Sequence, residues 1–232
     1  ARLDGSYDCH RALASDMFKV PYDEVPTIDR DEEGNVTIRF TAKRCRHGLN
    51  YRMQPDKLSQ TTGLSITEST IAYNTYHRIT PELRRWWDRL IEEAIKERVL
   101  YSHYGRRLLI TGRLEDDALD SIVAFRPQSA IGDKVCEILY QCEEDSRWPV
   151  SSRVALNVHD ALIAISKRDC VERTLMIMKH HAEQPMYIHG EELIIPAELG
   201  VSMPDKQGVH RWSNIVKVKS PEEGQEKIND SN

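Results

Sequence analysis

The stretch Arg153-Val-Ala-Leu-Asn-Val-His159-Asp160-Ala-Leu-Ile-Ala-Ile165 contains two apolar runs on either side of a His-Asp pair. Short runs rich in β-branched and aliphatic residues, bounded by polar residues, are typical of buried strands. The sequence therefore predicts a hairpin whose turn holds His159 and Asp160. A stiff hairpin fixes a carboxylate in place, which suits a metal ligand. The alternative is that Asp160 only forms the turn, since Asp readily hydrogen-bonds its own backbone.

Length and composition indicate a protein with a buried core. The 232 residues suffice for one large domain or two small ones, and 40% of them are hydrophobic. With 30% charged residues, we expect an open or multi-lobed shape. No apolar run is long enough to cross a bilayer, so no membrane is expected among the partners. The cysteines show no zinc-like spacing and fit free thiols in a reducing cytoplasm.

Basic residues cluster locally although the net charge is −5. The clusters are Arg39, Lys43, Arg44 and Arg46; Arg84, Arg85 and Arg89; and Arg106 and Arg107. Local clusters, more than the total charge, create a field that binds phosphate. A solvated helix face is the alternative interpretation for each cluster.

Helix caps, prolines and apolar periodicity predict helices over most of the first two thirds of the chain. The predicted helices lie at about 8–18, 37–49, 55–63, 65–98 with a new start at Pro81, 115–144 and 169–183. Because proline removes a backbone donor, we expect Pro127 to break or kink its helix. A hairpin is predicted around Gly105. Strands at about 186–188, 193–196 and 212–218 are expected to complete a sheet.

Four residues of the second predicted helix recur every four positions: Arg39, Lys43, His47 and Tyr51. In a helix this spacing places them on one slowly drifting face. Such a face suits a nucleotide, with the cations on a triphosphate and the flat rings against sugar and base. Gly48 leaves room for something to approach the backbone closely. A solvated amphipathic helix is the alternative.

The run Arg39-Phe-Thr-Ala-Lys43-Arg-Cys-Arg-His47-Gly48-Leu-Asn-Tyr51 resembles motif B of the DNA polymerase I family, family A. That motif is Arg, three residues, Lys, three residues, an aromatic, Gly, two residues and Tyr. The run from Leu156 to Asp160 is similar to motif C of the same family, an apolar run followed by His-Asp.

Three further segments resemble the same family in the expected order. They are Asp8-Cys9-His10 with Met17-Phe18, Tyr104-Gly105-Arg106-Arg107, and Pro127-Gln128 with Gly132-Asp133 at altered spacing. The resemblance covers about residues 5 to 217. Five ordered matches are more specific than any one of them.

The resemblance implies a set of nucleotide-binding residues. Arg39, Lys43 and His10 would contact the triphosphate of the incoming dNTP. Tyr51 would stack at the nascent base pair and guard the template position. His47 stands where the family usually has Phe or Tyr, next to the nucleotide sugar, so discrimination between sugars is expected to differ.

The resemblance also implies catalytic and DNA-binding residues. Asp160 would hold Mg²⁺ in a two-metal site that stabilises the attacking and leaving oxygens, and His159 would approach the primer end. Gln128 would contact minor-groove acceptors shared by all correct pairs. Arg106 and Arg107 would bind the DNA backbone.

The sequence departs from the family pattern at several positions. Ala161 replaces a common acidic residue, Arg52 a common second Gly, and Ala124 a frequent Asn. Motif A, Asp-x-Ser-x-x-Glu, supplies the other catalytic aspartate upstream of the Asp8 segment, where Asp4-Gly-Ser is too short to serve. We therefore expect the chain alone to be inactive. It would be an excerpt, as its first residue Ala suggests, or the partner of a second polypeptide that carries motif A.

The resemblance predicts an α+β, incomplete right-hand polymerase fold, with helical fingers at 1–100 and part of a palm with antiparallel sheet at 101–232. The predicted function is the C-terminal portion of a DNA-directed DNA polymerase with primer-template DNA and dNTPs as partners. The enzyme would act in the cytoplasm of a bacterial or virus-infected host cell, with a phage-like source as one possibility. The first alternative is a non-catalytic DNA-binding subunit derived from such a polymerase. The second is a metal-dependent hydrolase built around His159 and Asp160, for which a second ligand motif is missing.

Overall fold

The computed structural model describes residues 7–231, so the Asp4-Gly-Ser segment lies outside it. The chain is mixed α and β, as predicted. Its helices are α1 (Cys9–Phe18), α2 (Ile38–Leu49), α3 (Pro55–Thr62), α4 (Ile66–Ile79), α5 (Pro81–Glu97), α6 (Asp116–Glu144), α7 (Val171–Ala182) and α8 (Pro221–Asp230). Its strands are β1 (Val99–Tyr101), β2 (Arg107–Leu109), β3 (Arg153–Val158), β4 (Ala161–Ile165), β5 (Met186–Ile188), β6 (Glu191–Leu193), β7 (Leu199–Pro204) and β8 (His210–Val218).

Side-chain caps fix where the front helices begin. Asp8 Oδ1 accepts hydrogen bonds from the backbone N–H groups of His10 (2.8 Å) and Arg11 (3.1 Å) at the start of α1. Thr37 caps α2, and Ser65 forms a capping box with its N3 residue in α4. These side chains satisfy helix donors that have no intrahelical partner. The predicted starts of these three helices are confirmed.

Helix α6 runs without interruption through Pro127 for 29 residues, so of the predicted break or kink the break is wrong. A proline inside a helix costs about 3 kcal/mol because one hydrogen bond is lost and the ring crowds the preceding turn. On either side of Pro127, α6 buries apolar side chains, among them Ile122 and Val123 before it and Val135 and Ile138 after it. Burial of each such side chain contributes about 1.5–3 kcal/mol, which outweighs the loss.

The strands of the described residues form four separate two-stranded sheets, β1–β2, β3–β4, β5–β6 and β7–β8. The expectation that the terminal strands complete one sheet is therefore wrong. Strand β7 was not predicted, and it pairs with β8 so that Leu199 lies opposite Val218. Gly200 and Pro204 hide β7 in the sequence because both residues are rare within strands.

Helix α8 was also not predicted, and it packs against the C-terminal hairpin. A Cβ added to Gly224 would lie 2.6 Å from Leu175 Cδ1 and 3.3 Å from Val201 Cγ1. Only glycine permits such a close approach, because it has no Cβ. Glycine also has a low helix propensity, so the sequence alone argues against a helix here. Tertiary packing therefore determines this helix.

The chain divides into two compact units. One comprises the residues up to Leu100 together with Arg107–Phe125, and the other comprises Tyr101–Arg106 and the chain from Arg126 onward. Buried clusters of the first unit include Leu13, Ala42, Cys45, Leu49, Leu58, Ala72 and Tyr76, and also Leu90, Ala94, Leu100 and Ile122. Those of the second unit are Ile138, Cys142 and Ile177, and Leu175, Leu199, Val201, Val218 and Ile228.

The β3–β4 hairpin has one packed face and one open face. Val154 and Leu162 pack against the cluster around Ile138 and Ile177. Leu156 and Ile165, on the opposite face, are 57% and 52% exposed. Because side chains alternate between faces along a strand, the apolar sequence of this hairpin leaves one face uncovered among the described residues.

All five cysteines are free thiols, as predicted. Cys45 and Cys142 are buried, and burial raises the pKa of Cys45 to about 11 and that of Cys142 to about 12. Thiols of this kind are unreactive. None of the described helices is both long and apolar enough to span a bilayer.

Candidate functional site

Arg39 and Lys43 lie on one face of α2, and both are ion-paired to carboxylates. Arg39 Nε donates to Asp8 Oδ2 at 2.8 Å, and Arg39 Nη1 donates to Asp29 Oδ1. Lys43 Nζ contacts Asp29 Oδ2 at 3.0 Å. The two cations predicted to contact a triphosphate therefore lie four residues apart on one helix, as the spacing predicted. Each of them already contacts a carboxylate of the chain.

The ion pairs keep both carboxylates charged. Desolvation by burial raises the pKa of Asp8, but hydrogen bonds from Arg39 and from the backbone N–H groups of α1 outweigh it, and the pKa is lowered. For Asp29, desolvation likewise raises the pKa. Hydrogen bonds and positive charge from Lys43 and Arg39 lower it by more, so the pKa of Asp29 is lowered overall. Desolvation lowers the pKa of Arg39, but its two carboxylate partners raise it overall. Sequence reasoning missed both acidic partners of this face.

His10 lies in the first turn of α1, next to the capping residue Asp8. Its Nδ1 atom is buried and has no hydrogen-bond partner among the described residues. Burial, and then the positive charge of Arg46, lower the pKa of His10. A neutral imidazole with an unsatisfied nitrogen can accept a bond from a ligand or donate one to it, depending on its tautomer.

The rings of His47 and Tyr51 contact each other edge to face, with centroids 5.6 Å apart. Tyr51 lies beyond the end of α2, so it is not on the helical face itself. The space next to Gly48 is filled by the chain, since a Cβ there would lie 2.6 Å from Met53 Sδ. The close approach predicted at Gly48 is therefore made by a side chain of the same segment.

Arg52 adopts a left-handed backbone conformation with φ 64°. This region favours glycine, the residue that the resemblance to motif B leads us to expect at this position. The Arg52 guanidinium contacts Asp120 Oδ1 at 2.9 Å in the same unit. The substitution thus combines an unfavourable backbone angle with an ion pair.

His159 and Asp160 form the two-residue turn of the β3–β4 hairpin, because Val158 pairs directly with Ala161. The predicted hairpin and the position of the His-Asp pair at its turn are confirmed. Both residues are exposed, and His159 has a left-handed φ of 56°. The turn therefore presents a carboxylate and an imidazole to solvent at the tip of the hairpin.

Hydrogen bonds hold the base of this hairpin on α6 and α7. Val154 N donates to Glu143 Oε1 at 3.0 Å. The hydroxyl groups of Ser152, Ser166 and Thr174 form a closed triangle with oxygen separations of 2.8, 2.8 and 3.0 Å. Ser152 and Thr174 are buried. Polar networks with buried members of this kind fix local geometry.

One exposed carboxylate does not form a magnesium site by itself, because Mg²⁺ requires octahedral oxygen coordination. Over residues 7–231, no three His, Cys, Asp or Glu side chains converge to hold a metal ion. The donor set around Asp160 is therefore incomplete within the described chain. Oxygen ligands from phosphate groups and from another carboxylate would be needed.

The three residues predicted to contact DNA are distributed over β2 and its preceding turn and over α6. Arg106 donates to Asp133 Oδ1 from Nε (3.1 Å) and from Nη2. Asp133 Oδ2 is buried without a hydrogen-bond partner in the described chain. Arg107 and Gln128 are exposed. The structure thus joins two of the matched segments through Arg106 and Asp133, a contact that the sequence did not predict.

The sequence matches a known protein family over most of its length. The family model for DNA polymerase family A matches residues 2–206. The chain belongs to DNA polymerase family A. The match includes each of the segments that carried the resemblance, from the Asp8 segment to the His-Asp turn.

Curated relatives of the chain include bacterial DNA polymerases. The thermostable DNA polymerase I of Thermus thermophilus is 23% identical over 201 residues, which is 84% of this chain and 22% of that protein. DNA polymerase I of Pseudomonas aeruginosa is 24% identical over 176 residues, 72% of this chain and 18% of that protein. The chain thus spans about a fifth of the length of these relatives.

The fold agrees with that of a solved polymerase domain. The POL domain of Pol1 from M. smegmatis, in complex with DNA primer-template and dNTP, aligns with a TM-score of 0.61 and 21% identity. The alignment covers 75% of this chain and 30% of that domain. The chain therefore has part of a polymerase fold, in agreement with the predicted incomplete fold.

Proposed function

We propose that the chain is the C-terminal portion of a template-directed DNA polymerase, which transfers nucleotides from dNTPs to a primer 3′ end. The observation that supports this most strongly is the family match over residues 2–206, with His159 and Asp160 in the two-residue turn of a hairpin. In this proposal residues 1–100 are the fingers and 101–232 are part of the palm.

The first unit would bind the incoming nucleotide. Arg39, Lys43 and His10 would contact the triphosphate, since two cations and an unsatisfied imidazole nitrogen suit phosphate oxygens. Tyr51 would stack at the nascent base pair, and His47, in edge contact with it, would lie beside the sugar.

The remaining site residues would act on DNA and on the reacting ends. Asp160 would bind Mg²⁺ together with an aspartate of motif A, supplied by a further polymerase segment or a second polypeptide. When bound, the metal ions would stabilise charge on the phosphate oxygens. His159 would lie near the primer end, Gln128 would contact the minor groove, and Arg106 and Arg107 would bind the DNA backbone.

Primer extension tests this proposal. The assay uses a labelled primer-template, MgCl₂ and dNTPs with the chain alone and with the motif A region of a family A polymerase supplied in cis or in trans. Extension is expected only in the completed protein. Asp160→Asn should abolish it with DNA affinity retained, whereas Asp169→Asn, an equal charge change at an exposed position outside the matched motifs, should not. Extension that survives Asp160→Asn would contradict the assigned role.

A second candidate is a non-catalytic DNA-binding subunit derived from a polymerase. The observation in its favour is Ala161, which stands where the resemblance leads us to expect an acidic group next to Asp160. Under this alternative the completed protein would bind primer-template DNA by fluorescence anisotropy but would not extend the primer. The variant Ala161→Glu, which restores an acidic residue beside Asp160, would then be compared in the same two assays.

A further inference from the structure

We propose that Asp29 sets the affinity of α2 for polyphosphate by competing with the phosphate for Arg39 and Lys43. This inference rests on the proposed nucleotide-binding function of those two residues. A carboxylate and a phosphate present oxygens of the same charge to the same donors, so both cannot occupy these donors fully at once.

The position of Asp29 makes it an internal substitute for a phosphate group. Its backbone is held at the start of α2, because Thr37 N donates to Asp29 O at 3.1 Å. From there its two carboxylate oxygens are divided between the helix cations, with Oδ1 on Arg39 and Oδ2 on Lys43. A phosphate bound across both cations would need the same two directions.

The two carboxylates on this face differ in how readily they can be displaced. Asp8 also caps α1, and its contact with Arg39 is mostly covered, with side-chain exposures of 26% and 17%. The pair between Asp29 and Lys43 is open to solvent, with exposures of 35% and 47%. Asp29 shares the 17% exposed Arg39 with Asp8, but its second partner Lys43 is exposed, so Asp29 is the more readily displaced of the two anions.

Removal of the Asp29 charge should leave the surrounding loop folded. The neighbouring turn is formed by Asp31 Oδ1, which accepts from the N–H groups of Glu33 (3.0 Å) and Asn35 (2.7 Å). The Thr37 hydroxyl donates to Ile28 O at 2.7 Å. Neither contact uses the Asp29 carboxylate, so a neutral residue can take its place.

Isothermal titration of the full chain with dATP in MgCl₂, and separately with inorganic tripolyphosphate, tests the inference. Asp29→Asn is expected to tighten binding of both probes about fivefold, the factor that corresponds to about 1 kcal/mol for the exposed pair with Lys43. Asp29→Ser provides a second neutral variant, and unfolding by circular dichroism verifies that both variants fold. Glu32→Gln is the matched control, with the same charge change at an exposed loop position; it should bind as the unaltered chain does.

Lys43→Gln separates this inference from the proposed function. Weaker binding in Lys43→Gln with tighter binding in Asp29→Asn supports both. Weaker binding in Lys43→Gln with unchanged or weaker binding in both Asp29 variants would overturn the competition and leave the nucleotide site standing. If Lys43→Gln has no effect, or if neither probe binds any variant, the nucleotide site on α2 and the inference fail together. An equal gain in Glu32→Gln would also overturn the inference, since general charge would then explain the effect.

Discussion

The ring of His47 meets the ring of Tyr51 edge-on, with an interplanar angle of 80°. An edge-to-face aromatic pair contributes about 0.5–1.5 kcal/mol beyond its buried area. The contact therefore helps to hold Tyr51 in place, although Tyr51 lies beyond the last turn of α2.

His47→Ala should weaken dATP binding about three- to tenfold, because the ring that supports Tyr51 is lost. His47→Phe should bind within about twofold of the unaltered chain, since a phenyl ring can make the same edge contact. Titration with dATP in MgCl₂ measures both variants. Equal losses in the two variants would show that the imidazole itself, and not the ring contact, is needed.

Acidification should destabilise the first unit through His77. The His77 ring is buried against Tyr73, Tyr76 and Trp87 at centroid distances of 4.5, 5.6 and 5.3 Å, and both of its nitrogens lack partners in the described chain. Burial, and then Arg84, lowers the pKa of His77 to about 4 from an ordinary value of 6.5.

The His77 imidazole binds a proton more readily in the unfolded chain than in the folded one. The contribution of the neutral ring to the free energy of unfolding is therefore at its full value above about pH 6.5. It is lost as the pH falls through about 4, by about 3 kcal/mol in total. Urea unfolding at a series of pH values should show this loss, and His77→Phe should reduce it. His103→Phe, at an exposed position, is the control for a change from His to Phe, and the loss assigned to His77 should persist in it.

Thr174→Val should destabilise the second unit by about 1–3 kcal/mol, because the buried hydroxyl of Ser152 loses one of its two hydroxyl partners. The matched control is Thr70→Val on the exposed face of α4, where a change within about 0.5 kcal/mol is expected. Chemical denaturation measures both. Equal stabilities of the two variants would show that the hydroxyl triangle contributes little.

β-Branched residues at position 159, in the turn of the His-Asp hairpin, should destabilise the protein. His159→Val is expected to cost about 1–2 kcal/mol, since a left-handed φ of 56° is strained for a branched side chain. His159→Asn should be close to neutral because Asn tolerates this region. Thermal unfolding distinguishes the two, and a Val variant as stable as the Asn variant would mean that the turn relaxes.

Local signals in the sequence were sufficient for much of the fold and for the tip of the hairpin. Asp8 and Thr37 are capping residues whose effect acts within one helical turn, so the starts of α1 and α2 follow from the sequence. The turn at Asp160 follows from two adjacent apolar runs. The roles of the predicted site residues remain predictions.

Contacts between distant segments could not be predicted from the sequence. Asp29 pairs with Arg39 and Lys43 across 10 and 14 positions, and no periodic pattern links a loop residue to a helix face. Helix α8 depends on the close packing of Gly224, which counts against a helix in any local propensity. Where packing overrides local preference, as along α6, which continues through Pro127, a break predicted from the sequence alone is wrong.

The open face of the β3–β4 hairpin has a consequence for the behaviour of the purified polypeptide. A two-stranded sheet consists of two edge strands, and the exposed Leu156 and Ile165 add an apolar surface for contact with other copies of the chain. At high concentration this combination favours aggregation, which would show as light scattering that rises with concentration and salt. Aggregation, more than the free energy of unfolding, would then limit the concentration at which the purified chain stays in solution without a partner that covers this face.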